Sequence, residues 1–248
     1  MIDVMRSEWT KVRSVRSTVW TLGAVTALMV ALGAAGALVA VSAGDGGRLS
    51  DPVSVSLMGI MLAAPVTATL GVIVVCGEYR TGSIRASLVA VPDRLRFLAA
   101  KAAVLTGVTF VVGVVASFAA FLAGQAVFAG RAAAVSLADP GVLRAIVGAG
   151  LYLAAGGLLG LALGTLIRHT PGAIVAACAL LMVLPTLVAF VPGELGRRLV
   201  ELTPSNAGSR IALVSPVGMG PWTGFAVYLA WIALPLVVAV PLFRRRDA

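Results

Sequence analysis

Charge is what this sequence has least of. Only 12% of its 248 residues are Asp, Glu, Lys or Arg while 60% are hydrophobic, and the mean hydropathy is +1.03. A soluble domain needs more charge than this to cover its surface, so that class is excluded. Histidine occurs once, as His169, and cysteine twice, as Cys76 and Cys178, with no metal-ligand spacing among them. Those absences exclude a histidine metal cluster and argue against a disulfide. No Gly-x-x-x-x-Gly-Lys-Ser/Thr loop is present to cradle a nucleotide, so any ATP chemistry belongs to another chain. No carboxylate falls well inside an apolar run, which argues against a proton-coupled carrier. Paired carboxylates, or a Ser or Cys beside a base, are missing too, which argues against an intramembrane enzyme.

What is present is a series of apolar runs, each near or above the roughly 20 residues that a spanning helix requires. They cover residues 18–43, 53–75, 102–128, 143–167, 172–191 and 222–243. Val41-Ser-Ala43 resembles a signal cleavage site, but the run before it is too long for a signal core of about 7–15 residues. Pro65 and Pro185 fall inside the second and fifth runs, where a proline kinks or loosens a helix unless neighbours satisfy the freed carbonyl. Gly148, Gly156, Gly160 and Gly164 recur at multiples of four residues along the fourth, a stripe that lets another helix approach closely. The stretches between runs are about thirty residues or shorter, too short for a separate core.

Basic residues decide how the runs are oriented. Arg6, Lys11, Arg13, Arg16, Arg80, Arg85, Arg94, Arg96, Lys101, Arg168, Arg244, Arg245 and Arg246 fall on one side, and Arg48, Arg131, Arg144, Arg197, Arg198 and Arg210 on the other. The richer side is predicted to be cytoplasmic, with both termini there, as an even number of spans demands. The formal charge of +9 therefore reads as contact with membrane lipid headgroups and not as nucleic-acid binding.

Two polar segments flank the spans. Residues 1–17 project as an amphipathic helix with Met5, Trp9, Val12 and Val19 on one stripe and Arg6, Thr10, Arg13 and Ser14 opposite. That pattern suits a helix lying in the headgroup plane. Residues 192–221 are too polar to span, and their apolar residues on either side of Thr203-Pro-Ser-Asn206 predict two short helices dipping against the outer face. The predicted fold class is an all-α membrane protein: six transmembrane helices in a single domain, an N-terminal interfacial helix, and short re-entrant helices before the last span.

Residues 76–101 form a charged island between the second and third runs, with Glu78, Arg80, Arg85, Asp93, Arg94, Arg96 and Lys101. Arg80 to Ala90 predicts a short helix stopped by Pro92, with Thr81, Ile84 and Leu88 on one face and Arg80, Ser83 and Ser87 on another. A short amphipathic helix of this kind lies on the membrane or docks into a soluble partner.

The run Glu78, Tyr79, Arg80, Thr81, Gly82, Ser83, Ile84, Arg85, followed by Pro92 and Arg94 and ending at Lys101, resembles the cytoplasmic loop of type-2 ABC exporter permeases. The layout of the whole chain is similar to theirs, down to a linker before the last span containing Leu202-Thr-Pro-Ser-Asn-Ala-Gly208. The resemblance implies that Glu78 and the segment from Arg80 to Leu88 form a coupling helix seated in a cleft of an ATPase subunit. It implies an elbow helix at the N-terminus carrying Met5, Trp9 and Val12, and no cofactor in this chain, with ATP and Mg held by the partner. Six spans make half a pathway in that family, so two ATPase copies and a second copy of this chain or a paralogue are implied. The expected setting is a bacterial plasma membrane, and the expected cargo an unidentified amphipathic or hydrophobic compound, since the spans offer few polar contacts. The competing reading is a non-transporting anchor or assembly subunit that recruits a cytoplasmic partner through the same loop.

Overall fold

The structure is a computed structural model describing residues 2–43, 51–81, 94–131, 133–215 and 218–245. All regular structure among the described residues is helical. Helix α1 (Ile2–Ser14) ends at Val15, whose extended backbone separates it from α2 (Arg16–Ser42). A short α3 (Pro52–Ser56) precedes α4 (Ile60–Thr81), and α5 (Arg94–Phe128) and α6 (Val142–Ile167) follow. Next come α7 (Thr170–Cys178), a π turn over Ala179–Val183, and α8 (Leu184–Val188). Helices α9 (Gly193–Glu201) and α10 (Pro204–Ser209) lead through a 3-10 turn at Arg210–Ala212 to α11 (Pro221–Arg245). Six of these segments are long and apolar enough to cross a membrane: α2, α4, α5, α6, the combined α7–α8 and α11. This is the architecture of a multi-pass membrane protein.

Helix α6 is the axis of the bundle. It is 83% buried along its span, against 17% for α7–α8 and 22% for both α2 and α11. Its composition explains the position, because alanine and glycine let neighbours approach to backbone contact. A β-carbon at Gly160 would run into the Ala68 carbonyl oxygen of α4, and one at Gly156 would stand 2.9 Å from Thr67 Oγ1. Gly164 faces Val75 and Cys76 further along α4. The contacts advance together along both helices, so α4 and α6 run parallel. Gly148 meets Ile211 of the 3-10 turn instead, so the stripe serves two neighbours.

Several boundaries differ from the sequence expectations. The charged island expected over 76–101 is helical at both ends, since α4 continues through Thr81 and α5 begins at Arg94, eight residues before 102. Charge ends an apolar run without ending a helix, because Glu, Arg, Lys and Leu are good helix formers. Within the second run Pro65 leaves α4 unbroken, and the interruption falls at Leu57, Met58 and Gly59. There Gly59 packs on the α2 backbone at Met29, where a β-carbon would lie 2.7 Å from the Met29 Cα. Around Pro185 the helix does depart from regularity, by widening into the preceding π turn. A proline ring collides with the carbonyl four residues back, here Leu181, and one extra residue per turn relieves it.

The linker before α11 holds two short helices joined at Leu202 and Thr203. The Arg144 guanidinium donates to the Leu213 and Val214 carbonyls at 3.1 and 2.9 Å, and the Trp231 indole N–H donates to the Leu202 carbonyl at 2.8 Å. Gly208 lies against the Tyr152 and Tyr228 rings, themselves fully buried with centroids 5.2 Å apart.

Candidate functional site

The most unusual chemistry in the bundle lies where the charged island leaves and re-enters it. Helix α1 brings Glu8 and Lys11, spaced i,i+3 on one face. The last turns of α4 bring Glu78, and α5 brings Lys101 two turns into the helix. Lys101 Nζ lies 2.5 Å from Glu8 Oε2 and 2.8 Å from Glu78 Oε1. Lys11 Nζ lies 2.7 Å from Glu8 Oε1 and 2.8 Å from Glu78 Oε1. Each ammonium thus bridges both carboxylates, and the tetrad is neutral overall.

Burial makes this grouping consequential. The Lys101 side chain is 2% exposed, Glu8 4% and Glu78 10%, whereas Lys11 is 42% exposed at the rim. Phe97, one turn before Lys101 on α5, is buried with its ring centroid 5.1 Å from Lys101 Nζ and 5.7 Å from Lys11 Nζ, so its ring is within cation–π reach of both. Phe97 and Leu98 pack with Leu70, Leu105 and Leu161 below the charges, and Val4 of α1 joins this cluster. Burial works against protonation of Lys11, but hydrogen bonds and charge attraction from Glu78 and Glu8 outweigh it, and its pKa lies above the ordinary 10.5. Glu78 Oε2 is buried without a hydrogen-bond partner among the described residues.

This arrangement fastens three chain segments to one another. An ammonium held between two carboxylates at low exposure resists removal of any one partner, because the remaining charges would be stranded away from water. Helix α1 is therefore joined by ion pairs to α4 and α5 on either side of the island.

The predicted coupling residues divide accordingly. Glu78 is buried in the tetrad, and Tyr79 is half-buried with the Arg168 guanidinium 5.0 Å from its ring centroid. Arg80 and Thr81 lie in the last turn of α4. Gly82, Ser83, Ile84, Arg85 and Leu88, with the rest of the predicted short helix, lie outside the described residues. On α1, Met5 and Trp9 line an open, largely apolar groove of about 940 Å³ against Val104, Val108 and Val111 of α5. Val12 is half-buried.

Glu8 was not legible as a member of this charged cluster. The search for an apolar stripe passes over a carboxylate, although its i,i+3 spacing to Lys11 within a mostly basic segment was the available signal. Lys101, read as the end of a loop, is one of the most buried charges among the described residues.

A second cavity lies between α2, the α3–α4 break, the π turn and α10, with a volume of about 590 Å³. Its walls are mostly aliphatic or thioether, including Leu57, Met61, Leu181 and Met182, with Ser54, Thr186, Ser205, Asn206 and Ser209 as polar points and no charged side chain. Such a cavity accommodates an apolar body with a few neutral hydrogen-bonding groups. Comparison with protein-family models and with curated proteins finds no match to this chain.

Proposed function

We propose that the chain is the membrane-spanning subunit of an ATP-driven exporter of the type-2 ABC permease class, coupled through residues 76–101 to a separate ATPase. The observation that carries the reading is the buried tetrad at the base of the island. Force applied to the island reaches α4 at Glu78, α5 at Lys101 and α1 at Glu8 and Lys11 through ion pairs. From α4 it passes to α6 across the glycine contacts at Gly156, Gly160 and Gly164. Switching between inward and outward access requires a stiff connection of this kind between a soluble motor and the spans.

In this reading Glu78 and Arg80 to Leu88 engage the ATPase, α1 is the elbow helix, and α9 and α10 are the re-entrant helices closing the outer end. ATP and Mg are bound by the partner, two ATPase copies serve two membrane subunits, and both termini face the cytoplasm of a bacterial cell. The cavity beside the π turn, apolar and free of charge, favours an amphipathic or hydrophobic cargo.

The test is reconstitution. The purified chain hydrolyses no ATP by itself and, in vesicles with a partner ABC ATPase, drives ATP-dependent movement of a lipophilic fluorescent probe. Replacing Arg80 and Arg85 together with alanine stops that movement while leaving membrane insertion intact. Full transport by the double variant defeats the coupling assignment. Unchanged probe accumulation in cells lacking the chain favours a non-transporting anchor.

A further inference from the structure

The turn between α6 and α7 breaks the usual rule for helix ends. Arg168 closes α6 in the left-handed conformation, at φ 56° and ψ 14°, with its N–H on the Gly164 carbonyl at 2.9 Å. That position commonly holds glycine, or asparagine, because a β-carbon there crowds the following carbonyl. The sequence has 28 glycines and places an arginine here. Among the described residues Arg168 is the only non-glycine at positive φ. Strain retained in this way points to a use for the side chain.

Arg168 lines an open cleft of about 810 Å³ with Cys76, Tyr79, His169, Thr170 and Ile174. No carboxylate among the described residues pairs with it, and its guanidinium is held over the Tyr79 ring. His169 Nδ1 accepts from the Gly172 N–H at 3.2 Å, so the neutral ring carries its proton on Nε2 and keeps a donor. Ile174 and Val175, one turn along α7, form an apolar wall, with Val175 67% exposed. The candidate spans end at Tyr79 and Ile167 and begin again at Thr170, which sets the rim at the polar boundary of a bilayer and Ile174 and Val175 within it.

A cation and a neutral donor above an apolar wall complement a phosphate carried on an acyl chain. We infer that this cleft binds the phosphate headgroup of an anionic phospholipid, with Arg168 supplying the charge, His169 a second donor, and Ile174 and Val175 the surface along which the acyl chain lies. A free phosphate ion would use the rim and leave the wall bare. The inference rests on the spans and the cleft and not on the transport reading.

The experiment uses the full chain purified in neutral detergent, with lipid retention read by native mass spectrometry and melting followed with added phosphatidylglycerol, phosphatidylcholine or inorganic phosphate. Phosphatidylglycerol is retained in preference to phosphatidylcholine and raises the melting temperature more. Arg168→Gln weakens that retention about tenfold, the loss of one charge-assisted contact. Arg168→Gly also abolishes the preference but melts, without lipid, at or above the parent temperature because the backbone strain is gone. Arg131→Gln, at the other end of the bundle, keeps the preference. Undiminished preference in Arg168→Gly, its loss in Arg131→Gln, or equal stabilisation by inorganic phosphate overturns the inference.

Discussion

Replacing Lys101 with methionine keeps the aliphatic stem against Phe97 and removes the cation that Glu8 and Glu78 share. Two carboxylates, 4% and 10% exposed, are then left with Lys11 alone. Breaking a buried ion pair on one side costs about 3–5 kcal/mol, which weakens the docking of α1 by roughly a hundredfold to a few thousandfold. Lys11→Met removes the other cation, but at 42% exposure water screens and replaces much of the interaction, so its cost is about 1 kcal/mol or less. Both lysines contact the same two carboxylates, but Lys11 meets Glu8 within α1 and is exposed whereas Lys101 reaches it from α5 and is buried, so burial and the crossing between helices both give Lys101 the larger effect. Hydrogen exchange of the α1 amides, referenced to the buried amides of α6, reads the difference directly. Protection of α1 falls by two or more orders of magnitude in Lys101→Met and by less than one in Lys11→Met. Equal losses in the two variants, or an α1 unaffected by Lys101→Met, would refute the claim that the tetrad holds the helix.

Gly160→Ala forces a β-carbon into the Ala68 carbonyl and lowers stability by about 1–3 kcal/mol, while Gly77→Ala, with open space around it, is neutral or slightly stabilising; thermal melts compare them. Arg144→Ala strips the donors from the Leu213 and Val214 carbonyls, costs about 1.5–3 kcal/mol, and speeds proteolysis around residue 213 before the spans unfold. Lys11 has its pKa raised above 10.5 by folding, so its contribution is complete below that pH and disappears only as pH climbs through the higher folded value. The melting difference between the parent and Lys11→Met therefore stays constant from about pH 7 to about pH 9.5, and a difference that shrinks in that window contradicts the ion-pair geometry.

Long apolar runs made the six spanning segments legible, because bilayer thickness dictates their length. The glycine spacing of α6 was legible for the same kind of reason, although Gly148 turns out to serve the 3-10 turn and not a spanning helix. Helix ends were not legible where charge and helix propensity disagree. Arg94, Arg96 and Lys101 lie ahead of the apolar run, yet they belong to α5, and Lys101 is buried between Glu78 of α4 and Glu8 of α1, the latter 93 residues away. A pairing at that separation leaves no local trace. The break at Leu57, Met58 and Gly59 is hidden for a related reason: those residues read as ordinary span, and contact with Met29 of α2 decides the outcome.

The π turn at Ala179–Val183 has a geometric corollary. It stores one residue more than a regular turn, so passing that residue along the helix, or closing the turn, would swing the segment beyond it through about 100° with little change in length. Met182 and Thr186 border the uncharged cavity from this segment, and Phe190 just beyond it is 79% exposed. Such a shift in the fifth apolar segment would present a different set of side chains to the cavity while α7 kept its packing against Val75 and Cys76.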